Sequence, residues 1–187
     1  MGQQKAVSIA VLVSCFLTLT SPTAAAFPNT QSREKSEKAI RATAYEMMKA
    51  FLTQDVATFK RHSAKRTLDL VALVFEAARQ DPRYQQELQN ARITNADQFL
   101  GYFLQGMANQ YLQGMPVTPE AAARRAANDS TVTFVSDSEA RIVTADSEFA
   151  RARLIAKQWK IDLTDTLKRA VINEINNPEL KARIKRL

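Results

Sequence analysis

His62 is the only histidine in the chain, and imidazole is the side chain that changes charge near neutral pH. That makes it the first candidate for proton transfer. A histidine acid or base needs a carboxylate to orient it or a nucleophile to activate. The nearest acids in sequence, Asp55 and Asp69, lie seven residues to either side, and neither pairing has a known catalytic spacing. Arg61, Lys65 and Arg66 flank the ring and favour its neutral form wherever they come close to it. His62 is the catalytic candidate, set against the plainer reading of a solvated histidine on a basic helix end.

Other chemistry is bounded by what the chain contains. Its one cysteine, Cys15, lies in the first 26 residues, so the remainder has no thiol and no disulfide. One histidine without cysteine does not make a structural zinc site, and no metal is expected. Four glycines in all leave no phosphate-cradling loop, and no cofactor is expected. Asn128-Asp129-Ser130 fits a glycosylation sequon, a triplet common by chance. Tyr45, Met48, Phe103, Met107 and Trp159 could line a pocket for a small apolar ligand. At helical and strand spacing the same residues also suit a plain core.

These residues need elements to hold them. Ile40, Ala44, Met47 and Phe51 recur at helical spacing and predict a helix from about Glu34 to Thr53. Asp55 caps a short helix, and Leu68, Val71, Ala72 and Phe75 predict another from near Ala64 to Arg79, stopped by Asp81-Pro82. Asn95 with Gln98 reads as a capping box for a helix ended by Gly114 and Pro116. Thr118-Pro119 opens a short helix through Ala127. From Asp129 onward the character changes. Thr131–Val135, Ala140–Thr144, Phe149–Ile155 and Gln158–Leu163 alternate and predict four strands of an antiparallel meander. Val132, Phe134, Ala140, Ile142, Ala150, Ala152, Leu154, Trp159 and Ile161 fall on its helix-facing side, with Lys160 and Asp162 on the other. A one-residue slip would turn Arg141, Arg151 and Arg153 inward and favour an anionic ligand. Thr164 caps a last helix to about Asn176, and Pro178 begins a short basic tail helix.

The N-terminus supplies an address. Lys5 precedes an apolar run from Ala6 to Leu19, and Ala24-Ala25-Ala26 fits the small-x-small rule for signal peptidase. Cleavage after Ala26 predicts an exported protein, periplasmic or secreted, beginning at Phe27. The run of 14 residues is shorter than the ~20 of a membrane span, and no transmembrane segment is expected in the mature chain. Leu12-Val13-Ser14-Cys15 loosely resembles a lipobox, with Cys15 as the lipidated residue. The expected organisation is a leader over 1–26, a flexible 27–33, one α+β domain over 34–176 and a basic tail over 177–187.

Charge bounds the partners. The chain carries 26 Lys+Arg against 19 Asp+Glu. Part of the surplus gathers at Lys181, Arg183, Lys185 and Arg186, which suits an anionic surface or simply complements a helix C-terminus. No nucleic-acid motif is present, and nucleic acid is not an expected partner.

Helices followed by a meander closing on Trp159-Lys160-Ile161-Asp162-Leu163, with Phe51-Leu52-Thr53-Gln54-Asp55-Val56-Ala57-Thr58-Phe59 at the first helix junction, resemble the nuclear transport factor 2-like superfamily. The likeness is to its small exported bacterial members of unknown function. Lys157-Gln158-Trp159-Lys160-Ile161 stands where that superfamily carries a Gly-Lys-Trp-Lys-Ile type signature, with Gln158 departing from it. The resemblance covers roughly 34–163. It implies a curved sheet wrapped on helices around an open, mostly apolar cavity that takes a small ligand or an envelope protein. In a minority of members the cavity is catalytic. The leading expectation is a non-catalytic binding or accessory protein. The alternatives are a small isomerase or hydrolase using His62, and an anionic-surface module using the basic tail.

Overall fold

The computed structural model describes residues 30–113, 117–144 and 147–187. The expected leader with its expected cleavage positions Ala24 and Ala26, Cys15, and the expected helix stop at Gly114 and Pro116 lie outside the described residues. The fold is α+β. Among the described residues six helices come first: α1 Thr30–Leu52, α2 Val56–His62, α3 Lys65–Gln80, α4 Pro82–Asn90, α5 Ala96–Leu112 and α6 Pro119–Asp129. Four strands follow, β1 Thr131–Ser136, β2 Glu139–Thr144, β3 Ser147–Ile155 and β4 Gln158–Asp162, and then α7 Thr164–Val171 and α8 Pro178–Arg186.

Local chemistry sets the helix ends. The Asp55 carboxylate accepts from the Thr58 N–H at 3.0 Å and starts α2. Asn95 Oδ1 accepts from the Gln98 N–H at 2.9 Å, while Gln98 Oε1 reaches back to the Thr94 N–H at 2.8 Å. Asp81 both ends α3 and caps α4, with Pro82 in the first turn and its carboxylate accepting from the Arg83 N–H at 3.0 Å. The stop signal read at Asp81-Pro82 is thus also a start. Thr164 opens α7 as its first helical residue, and that helix ends at Val171, short of the expected Asn176.

The sheet is an antiparallel meander in the order β1-β2-β3-β4. Phe134 faces Ala140, Ala140 faces Ala152, and Ala152 faces Ile161, one row across all four strands. This row lies on the helix side, so Arg141, Arg151 and Arg153 stand on the opposite face and the slipped register is not adopted. Leu154 departs from the expected lining: it lies at the end of β3 and is 39% exposed. The main core joins Ile40 and Met47 of α1, Leu70 and Val71 of α3, Leu100 and Leu104 of α5, and the inward residues of β2, β3 and β4. At the β3–β4 hairpin tip Ala156 and Lys157 have φ of 49° and 66°, the two left-handed positions of a tight turn.

The basic C-terminal segment is docked on the domain. Leu180 and Ile184 of α8 are 2% and 0% exposed and belong to the main core. Asn177 Oδ1 caps α8 through the Glu179 and Leu180 N–H groups at 3.0 and 3.1 Å.

Candidate functional site

His62 is the last residue of α2 and half-buried. Burial, the Lys160 ammonium and the Arg61 guanidinium press its pKa below the ordinary imidazole value, against the weaker pull of Glu46. The ring is therefore neutral at physiological pH. Among the described residues its side chain makes no hydrogen bond and no ion pair. Asp55 caps α2 from the far end and Asp69 is held by Lys65 at 2.7 Å, so neither nearby acid orients it.

A polar centre lies at Asp162, far from His62 in sequence but joined to the start of α3. Sequence alternation places this residue on the outer face of β4, and its side chain is nevertheless only 3% exposed. The start of α3 covers the strand end. Ser63 bridges Ile161 in parallel, and the Ala64 N–H donates to the Ile161 carbonyl at 2.8 Å. The next residues, Arg66 and Thr67, then reach the carboxylate. Oδ2 accepts from Arg153 Nε at 2.9 Å and Arg66 Nη1 at 3.4 Å. Oδ1 accepts from the Thr164 N–H at 2.9 Å and Thr67 Oγ1 at 3.3 Å. Thr67 Oγ1 in turn accepts from the Leu163 N–H at 2.9 Å. Burial works against the charged carboxylate, but Thr164, Arg66 and Arg153 outweigh it and hold the group below its ordinary value. Sequence reading missed this centre because period-two alternation carries no information about what covers a strand end. The usable signal was an acid directly before Leu163-Thr164, where a helix starts.

Beside it, Arg151 pairs with Glu139 at 3.1 Å and approaches Asp165 at 3.8 Å. A hollow of about 220 Å³ opens there between Ala150, Arg151, Asp162, Asp165, Thr166 and Arg169. Its walls mix both charges and can take polar contacts. Among the described residues four carboxyls are displaced, Asp55, Asp81, Glu120 and Asp162, and all move down. Asp81 reaches about 2, held by Arg83 and Asn176. Among the described residues no group of three or more His, Cys, Asp or Glu could hold a metal ion, and no helix is long and apolar enough to cross a membrane.

The five apolar candidates fall into three settings. Tyr45 and Met48 pack with Leu52, Ala108, Ala122 and Ala123 in a separate cluster, and the Tyr45 hydroxyl donates to Glu120 Oε1 at 3.2 Å. Phe103 and Trp159 belong to the main core, Trp159 edge-on to Phe134 at 6.3 Å between ring centres. Met107 is 38% exposed on α5. The four basic tail residues also divide. Arg183 pairs with Glu76 of α3 at 3.1 Å. Lys181, Lys185 and Arg186 make no side-chain hydrogen bond or ion pair among the described residues. Compared with protein-family models, curated proteins and solved structures, the chain matches none.

Proposed function

We propose that the protein is an exported, non-catalytic binding or accessory protein of the nuclear transport factor 2-like kind, holding a small ligand or a partner segment. One observation carries this reading most. The helix-facing side of the sheet presents Val132, Phe134, Ala140, Ile142, Ala150, Ala152, Trp159 and Ile161, and none of these side chains titrates. The leader, with Lys5 and Ala24-Ala25-Ala26, supports a site of action outside the cytoplasm. For the enzyme alternative, no carboxylate hydrogen-bonds to His62 among the described residues. The test is co-purification of the protein from the cell envelope at physiological salt. A retained ligand or partner in fixed proportion is expected, and recovery of neither counts against the reading.

A second reading, binding to an anionic surface, is favoured by one feature of α8. Leu180 and Ile184 fix the helix in the core while Lys185 and Arg186 are exposed and Lys181 is half-buried, all three without side-chain partners among the described residues. Deleting the helix would also strip the core, so charge reversal is the cleaner test. Lys181→Glu with Lys185→Glu should abolish sedimentation with phosphatidylglycerol vesicles while leaving the circular dichroism spectrum unchanged. Undiminished binding rejects this reading.

A further inference from the structure

The two edges of the sheet are treated differently. At β4, Ser63 bridges Ile161 and the Ala64 N–H donates to its carbonyl, so that edge is occupied. At the other edge β1 pairs only with β2 among the described residues. An open edge offers a row of unused N–H and C=O groups to any extended strand. Proteins blunt such edges with lysine, proline or inward charge. β1 reads Thr-Val-Thr-Phe-Val-Ser, without charge or proline and rich in strand formers. Its single irregularity falls late, between Phe134 and Ser136, leaving Thr131–Phe134 in regular register. The outward side chains Thr131, Thr133 and Val135 are exposed, and Val132 and Phe134 are only half-buried on the helix side.

We propose that β1 is an interface for a second copy of this chain, pairing antiparallel to its own counterpart about Thr133 and joining two meanders into one continuous sheet. The strand is its own complement. In this register Thr133 faces Thr133 of the other copy. Val132 faces the other copy's Phe134, and Phe134 the other copy's Val132. These are two aromatic–β-branched cross-strand pairs on the half-covered side. No charged side chain lies within the strand, so no like charges stand directly opposite each other in the new pair; a cation over the paired residues, Arg33, lies 5.4 Å from the Phe134 ring centre. The contact is isologous and closes at two copies, because each β1 is then used up.

Three variants test this by sedimentation equilibrium on the protein purified as the cell processes it. The unaltered protein should be a dimer. Thr133→Lys sets two ammonium groups opposite each other and should weaken association about tenfold or more. Its circular dichroism should not change, because Thr133 is exposed. In a Cys15→Ser background, Thr133→Cys should oxidise to an intermolecular disulfide. Facing residues in an antiparallel pair have Cα atoms about 4.5–5.5 Å apart, within disulfide range. Thr131→Cys should stay reduced, because it faces Val135 of the other copy. A monomer at every concentration tested overturns the proposal. So does a dimer indifferent to Thr133→Lys, or one in which Thr131→Cys cross-links as readily as Thr133→Cys.

Discussion

Asp162 ties β4 to three other elements through one carboxylate. Its carboxylate collects Arg66 and Thr67 from α3, Arg153 from β3 and the first N–H of α7. Removing one member of a buried charged set leaves the others desolvated and unpaired. Asp162→Ala should therefore cost about 3 kcal/mol, read as a lower urea midpoint with an unchanged slope. The pH dependence has a definite sign. The folded carboxyl titrates below its unfolded value of about 3.9. Its contribution is fully present above that value and is lost as pH falls through the lower folded one. Asp162→Asn should be less stable than the unaltered protein near neutrality, and the gap should narrow below about pH 4. A gap that widens in acid would refute this role. His62 shows the opposite lesson. Its chemistry stood out in the sequence as the only histidine, yet burial, Lys160 and Arg61 press its pKa down against Glu46, and among the described residues no carboxylate hydrogen-bonds to it.

At the scale of elements, two positions invite measurement. Ala156 and Lys157 hold left-handed backbone at the β3–β4 tip, where Asn-Gly fits at less cost. Ala156→Asn with Lys157→Gly should raise stability by about 1 kcal/mol, seen as a higher melting temperature. No rise would mean that this tip is not strained. α8 provides a test in the other direction. Ile184→Ala should cost about 2–4 kcal/mol because the side chain is wholly buried. A loss below about 0.5 kcal/mol would show a loosely attached tail.

These elements also mark what the sequence made legible. The caps at Asp55, Asn95 and Thr118 and the four alternating strands were readable, because each is a local pattern whose cause lies within a few residues. α4 was not, since Arg83–Asn90 has few apolar residues to set a period and buries only Leu88. The burial of Asp162 was not either, because its cover comes from Arg66 and Thr67, almost a hundred positions earlier. The docking of α8 was hidden by its charge. Four cations in its sequence masked the two apolar positions, Leu180 and Ile184, that fix it.

At the scale of the whole molecule, the helices bury one face of a four-stranded sheet whose inward residues carry no titratable group, while charge gathers on the outer face and at α8. The proposed role is to hold a small ligand or a partner segment. Native mass spectrometry of the protein recovered from the cell envelope tests this most directly, because one spectrum reads both the start of the chain and what is bound to it. The account predicts a chain beginning at Phe27 that carries a ligand or partner of defined mass. A chain retaining Met1, or one with nothing bound at physiological salt, would contradict it.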